Sequence, residues 1–176
     1  TQSAIDPATM PHLRVRGANG TFTFKQATWS EAGVGDNISV GDPSFMGGKI
    51  ADVFFYRDRL GFISDESVVL SQYNDYFNFW PKTATTVLAT DPIDVAVSHV
   101  KVSLLRHAIP FGESLLLFSD QTQFQMGDGG VSTLSPESVK IDQTTEFECS
   151  RHCKPVGAGQ NVYFVIERGD NSSVRE

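Results

Sequence analysis

The sequence DESVVLS at residues 65–71 recurs in pattern 47 residues later as GESLLLF at residues 112–118, and again as GQNVYFV at residues 159–165. Each copy has a turn-forming residue, two polar residues and then three apolar residues. The same shift also places Arg59 on Arg106, and a weaker copy precedes the first one at Asn19-Gly20. Short apolar runs that follow turn residues are typical of β-hairpins, so the pattern predicts a series of similar β units.

Each 47-residue period holds four strand-like pieces, which is the size of one β-propeller blade. The predicted fold is therefore all-β, with repeated four-stranded antiparallel modules in a propeller-like and incomplete arrangement; a β-sandwich is the alternative. The predicted strands are residues 50–57, 59–64, 66–72 and 75–79, then 97–104, 106–111, 113–119 and 122–126. The predicted modules are residues 50–96, 97–143 and an incomplete 144–176, after an N-terminal segment 1–49 with a partial module, all in one larger domain.

Length and composition agree with a folded piece of a longer protein. Of the 176 residues, 40% are hydrophobic and 20% are charged, which is enough apolar material for a core. No apolar run approaches the ~20 residues that a membrane helix needs. The chain begins at Thr1 rather than Met and holds fewer than four repeats. Because propellers usually close with about 4–8 blades, we expect a fragment.

The net charge of −7 is concentrated in the middle of the chain. Residues 61–149 carry four basic and twelve acidic side chains, whereas residues 1–60 carry six of each. Tight binding to a phosphate backbone needs clustered lysine and arginine, so the charge pattern argues against a nucleic-acid-binding protein.

Motifs for catalysis or metal binding are weak. Cys149 and Cys153 flank His152 in a C-x3-C spacing, but no second Cys/His pair lies near them in sequence, so two ordinary thiols are favoured over a metal site. The chain lacks the G-x-S-x-G motif of an α/β-hydrolase. A serine triad assembled from distant residues stays open, with four candidate histidines: His12, His99, His107 and His152.

Three further motifs favour structural roles. Gly157-Ala158-Gly159 precedes a strand rather than a helix, so a turn is favoured over a phosphate-binding loop. Asp120 and Asp128 supply too few ligands for a calcium loop, and a hairpin turn is the simpler interpretation of Asp128. Arg59 and Arg106 are expected to pair with nearby carboxylates. No catalytic, cofactor-binding or metal-binding residue is assigned.

The aromatic cluster at residues 76–80 (YFNFW) is interpreted as a strand. Alternation would then bury Phe77 and Phe79 on one face and leave Asn78 and Trp80 on the other. A stacking platform for sugars or bases is the alternative, with Trp80 the least certain core residue.

The stretch KIADVFFYRDRLGFIS at residues 49–64 resembles the IxDxFFxRxRLGF segment of the tail tubular protein B family, the nozzle proteins of short-tailed, podovirus-type bacteriophages. Further matching pieces occur in the same order, and together they span about residues 11–176. They are residues 35–36, 43–45, 69–71, 76–79, 91–96, 110–111, 115–118, 161–164 and 172–174.

The resemblance implies a virion structural protein without catalytic residues, assembled in the host cytoplasm. Its implied partners are other copies of itself in a ring, the upper tail tube protein (tail tubular protein A) and tail fibres. The ring would form part of the channel for DNA ejection, through which DNA passes without specific binding. A negative wall bearing Asp65, Glu66, Asp91 and Asp94 would let DNA slide without sticking.

The alternative function is a carbohydrate-binding or glycan-hydrolysing module that acts on host surface polysaccharide. Glycan hydrolysis requires two carboxylates about 5–9 Å apart in a cleft. The nearest pairs in sequence are Asp91 with Asp94 and Asp65 with Glu66.

Overall fold

The computed structural model describes residues 4–35, 39–98, 104–131 and 133–176. These residues form thirteen β-strands and a single 3-10 turn at Pro7–Thr9. The strands are β1 (Leu13–Arg16), β2 (Phe22–Lys25), β3 (Ile50–Tyr56), β4 (Arg59–Ser64), β5 (Ser67–Leu70), β6 (Ile93–Ala96), β7 (Leu105–Phe111), β8 (Ser114–Ser119), β9 (Gln123–Gly127), β10 (Lys140–Thr145), β11 (Val156–Ala158), β12 (Asn161–Arg168) and β13 (Asn171–Arg175).

The strands form four sheets in which every neighbouring pair is antiparallel. The first sheet has the order β3-β4-β5-β6 and the second sheet has the order β7-β8-β9-β10. The third sheet is β11-β12-β13, and β1 pairs with β2 in a two-stranded N-terminal ribbon. The all-β, antiparallel prediction is confirmed. Within the described ranges, no helix has the length and apolar character needed to cross a membrane.

The repeated pattern corresponds to three similar hairpins: β4-β5, β7-β8 and β11-β12. Their turns contain Asp65, Gly112 and Gly159, which occupy equivalent positions and have positive φ angles of 51°, 59° and 63°. Glycine adopts this left-handed conformation without a steric penalty, and aspartate tolerates it better than most residues. The 47-residue spacing therefore reflects a recurring turn conformation as well as recurring apolar positions.

One of the predicted strands differs from the structure. Residues 75–79 form turns rather than a strand, and β6 takes the fourth place in the first sheet. The backbone N–H of Asn78 bonds to the carbonyl of Asp75, and the backbone N–H of Trp80 bonds to the Asn78 side chain. These local bonds fold the segment back on itself, which removes it from the sheet. The predicted strand 97–104 falls mostly on residues 99–103, outside the described residues.

The first and second sheets pack against each other around one hydrophobic core. Leu70 and Leu117, which are equivalent in the repeat, lie in this same core and are fully buried. The two sheets thus meet through equivalent faces, with β3 and β7 side by side. Propeller blades instead pack one face against the opposite face of the next blade, so the propeller-like arrangement is not confirmed. The module boundaries also stay a prediction.

The other face of each sheet is covered as well. On the first sheet, Trp29 and Phe45 of the N-terminal segment and Phe79 of the turns at residues 75–79 pack against Phe62, and Trp80 lies in the same buried cluster. On the second sheet, Phe118 packs against Phe164 and Ile166 of the third sheet. Both four-stranded sheets therefore bury apolar side chains on both faces.

The predicted alternation at the aromatic cluster is wrong. Phe79 and Trp80 are both buried, and the indole N–H of Trp80 donates to the carbonyl of Ser30 at 3.0 Å. Phe77 is half-buried and makes an edge-on contact with Trp29. Because the segment turns instead of extending, consecutive side chains reach the same core, and Trp80 does not form a stacking platform.

Candidate functional site

Arg59, at the start of β4, is enclosed by backbone carbonyl groups. Its relative exposure is 1%. The guanidinium donates to the carbonyls of Ser71 at 2.8 Å, Asp91 at 2.6 Å and Ala89 at 2.9 Å. Burial lowers the pKa of Arg59 from its ordinary value, and the negative charge of Asp91 opposes that shift. Arg59 thus holds the connection between β5 and β6 against the first sheet. Its hydrogen bonds go to backbone carbonyls, whereas the sequence predicted a pairing with a carboxylate.

Asp91 holds the other side of the same connection. Its buried carboxylate accepts the backbone N–H of Leu88 at 2.8 Å and that of Lys82 at 3.4 Å. Both oxygens are therefore used inside the chain. Asp91 adds little to the surface potential, and it is a poor partner for Asp94 in a hydrolytic carboxylate pair.

Arg57 connects the first sheet to the second. It forms an ion pair with Asp128 at 2.7 Å and donates to the carbonyl of Glu113 at 3.0 Å. The Tyr56 hydroxyl donates to the same carbonyl at 2.6 Å. Asp128 also accepts the backbone N–H of Gly130 at 2.9 Å, which supports the turn interpretation of Asp128.

Asp120 lies between two arginines, one on β7 and one in the connection between β10 and β11. Arg106 approaches it at 2.9 Å and Arg151 at 2.7 Å, so the expected carboxylate pairing is found for Arg106. Partial burial acts to raise the pKa of Asp120, but hydrogen bonds and charges from the two arginines outweigh burial and lower it.

We expect the Asp120→Asn variant to lose stability at neutral pH and to match the parent protein in strong acid. A carboxylate whose pKa is lower in the folded state stabilises the fold above its unfolded pKa of about 3.9, and that contribution disappears as pH falls through the folded pKa. Urea unfolding of both proteins from about pH 7 to pH 2 measures the difference. An equal difference at both ends of this range would contradict the prediction.

The histidine, cysteine and serine side chains near Asp120 do not form a nucleophilic site. The Ser150 hydroxyl donates to Glu167, and a ring nitrogen of His107 lies 3.3 Å from the Ser150 carbonyl. Burial raises the pKa of Cys149 to about 11, so its thiol stays protonated at neutral pH. In the described part of the chain no three His, Cys, Asp or Glu residues cluster as metal ligands. His99 lies outside the described residues.

The remaining acidic candidates are at the surface. Asp65 occupies the β4-β5 turn and is exposed, and Glu66 beside it is half-buried. Asp94 is exposed and accepts the backbone N–H of Ser44 at 2.7 Å. These residues differ from Asp91 in burial, because the Asp91 carboxylate is buried.

The family model of the bacteriophage nozzle protein matches residues 1–176, the whole chain. This chain belongs to the bacteriophage nozzle protein family. A relative is tail tubular protein gp12 of Escherichia phage T7, which is 45% identical over 174 residues. The match covers 99% of this chain and 22% of the T7 protein, so this nozzle-family chain spans about a fifth of its relative's length.

Sequence reasoning missed the roles of Asp91 and Asp52 in this nozzle-family chain. The Asp52 carboxylate accepts the backbone N–H of Ala108 at 2.9 Å and pairs with Lys154 at 2.6 Å, so it joins β3 to β7 and to the segment just before β11. Asp52 is 56 residues from Ala108 and 102 residues from Lys154 in sequence. No local pattern in the sequence indicates such distant partners. The alternation in β3 shows only that the side chains of Asp52 and the exposed Val53 point to opposite faces of the strand.

Proposed function

We propose that this chain is a structural part of a phage tail nozzle and works as one wall segment of the tail channel. The observation that carries the proposal is the match of the nozzle family over residues 1–176. The geometry supports it, because the buried and half-buried charges hold sheets and connections together. Arg59, Asp91, Arg57 and Asp120 all have partners within the chain.

The partners in this proposal are other copies of the chain in a ring, the upper tail tube protein and tail fibres. The site of action is the virion, after assembly in the host cytoplasm. A propeller-like closure of the modules within a longer protein is a further part of the proposal; the recurring hairpins support it, whereas the packing of the first and second sheets through equivalent faces does not. The proposed role is non-enzymatic, and the engagement of Asp91 in backbone hydrogen bonds supports it over glycan hydrolysis.

DNA passage without specific binding is the proposed contribution of the acidic middle of the chain. Residues 61–149 carry an excess of acidic side chains, and the side chains of Asp65 and Asp94 are exposed. A negative surface repels the phosphate backbone, whereas clustered basic residues would retain it. Asp91 is not part of this surface, because it is buried.

Antibody labelling of virions tests the proposed location. Antibodies raised against residues 1–176 are coupled to gold particles and applied to purified virions of the phage that encodes the chain. We expect gold at the tail, with tail-less heads from the same lysate as the control. Label confined to heads, or protein found only in the virion-free fraction of the lysate, would overturn the proposal.

A further inference from the structure

The N-terminal ribbon of β1 and β2 exposes aromatic side chains. Phe24 is the most exposed phenylalanine in the described ranges at 73%, and Phe22 is 53% exposed, behind only Phe55 among the others. The two strands pair only with each other among the described strands. A two-stranded hairpin is marginally stable in water, and large exposed aromatic side chains mark interaction surfaces.

One face of the ribbon combines these rings with arginines. Arg14 lies opposite Phe24 and Arg16 lies opposite Phe22 in the strand register, so all four side chains share a face. The guanidinium carbon of Arg14 lies 3.9 Å from the centre of the Phe22 ring, and the His12 ring stacks on Phe24. Aromatic and arginine side chains are the types that dominate binding at protein interfaces.

The charge of the ribbon is opposite to that of most of the chain. Residues 7–30 contain Arg14, Arg16 and Lys25 and no acidic residue, in a chain with a net charge of −7. A partner for this surface is therefore expected to be acidic. Complementary charge of this kind directs partners to each other and fixes their orientation.

A matching acidic surface is present on the second sheet. The acidic edge, residues 140–148, holds Asp142, Glu146 and Glu148 against one lysine, Lys140. It is exposed along most of its length and includes Phe147, which is 38% exposed and has the guanidinium carbon of Arg175 4.6 Å from its ring centre. β10 is the last strand of its sheet, so one side of its backbone is unpaired among the described strands. Unpaired edges of this kind accept another strand.

We propose that the N-terminal ribbon of one copy docks on the acidic edge of a neighbouring copy. The inference rests on the proposed ring, and it names the surfaces through which copies meet. The contact joins two different surfaces, and such head-to-tail contacts generate rings when the rotation closes. DNA is the other partner that a basic ribbon could contact, but three basic residues in a strongly acidic chain favour the acidic protein surface.

Charge reversal and its compensation test the contact. Sedimentation velocity of the chain over a range of concentrations measures self-association of four proteins: the parent, R14E/R16E, D142K/E148K and the combination of all four changes. We expect each double variant to weaken association by at least about tenfold and the combination to restore it. The control K49E/R168E makes the same change in charge as R14E/R16E at residues outside both surfaces and is expected to associate like the parent.

Three outcomes would overturn this inference: a parent that stays monomeric at every concentration, R14E/R16E that associates as strongly as the parent, or a combination without recovery. Fluorescence anisotropy with a labelled DNA duplex is run in parallel. DNA binding that R14E/R16E abolishes, with self-association unchanged, would assign the ribbon to nucleic acid instead. Labelling of virion tails is independent of these results, so a failed docking surface and a failed tail location are distinguishable.

Discussion

Replacing Arg59 with methionine is expected to lower the free energy of unfolding by about 3–5 kcal/mol. The substitution keeps much of the buried aliphatic volume but removes every guanidinium donor. The carbonyls of Ser71, Ala89 and Asp91 would then lose donors at 2.6–2.9 Å inside the protein. Asp91 would also lose the positive charge that its buried carboxylate faces. Unpaired buried polar groups bear the full cost of desolvation.

Arg106 is the matched control, because it occupies the equivalent position in the repeat. Its side chain is 28% exposed and pairs with Asp120 near the surface. We expect the Arg106→Met variant to lose no more than about 1 kcal/mol, as is typical of solvent-screened ion pairs. Urea unfolding of both variants measures the contrast. Equal losses of unfolding free energy in the two variants would contradict the stabilisation assigned to the hydrogen bonds between Arg59 and the surrounding carbonyls.

Replacing Leu117 with aspartate is expected to cost at least about 4 kcal/mol and to leave much of the chain unfolded at 25 °C. Leu117 has no solvent exposure and lies in the core between the first and second sheets. An aspartate there would have its charge buried without a partner. Near-ultraviolet circular dichroism and limited proteolysis measure the loss of packed structure.

Two further variants sharpen this prediction. Leu70→Asp is expected to be as damaging as Leu117→Asp, because both residues lie in the same core. Val174→Asp is the control: Val174 is 69% exposed on β13, so its effect is expected to stay within about 0.5 kcal/mol. A Leu117→Asp protein that kept parent-like dichroism and protease resistance would contradict the packing of the two sheets.

Local chemistry explains why much of the fold was predictable. The hairpins β4-β5, β7-β8 and β11-β12 depend on a turn residue that accepts positive φ and on apolar residues at alternating positions, which a sequence displays directly. The segment at residues 75–79 also alternates, yet it forms turns. There, side-chain hydrogen bonds and aromatic packing compete with the sheet, and alternation alone does not reveal the outcome.

In the candidate site as well, one arginine has the partner that the sequence predicted and the equivalent arginine does not. The pairing of Arg106 with Asp120 follows from opposite charges on one hairpin, with Arg106 on β7 and Asp120 directly after β8. Arg59 has the same place in the repeat, but the connection that ends at Asp91 folds over it and supplies carbonyls instead. Equivalent positions in sequence therefore acquire different partners when the connections between strands differ in length.

The all-β class, the repeated hairpins and the membership of the nozzle family can be read from the amino-acid sequence alone, because these depend on local turn chemistry, alternation and ordered motifs. The packing of the first and second sheets through equivalent faces, the burial of Arg59 and Asp91, and the exposure of the N-terminal ribbon become visible only in the folded chain. Those outcomes depend on contacts between residues far apart in the chain, and a repeat of 47 residues specifies which positions are apolar without specifying which faces meet.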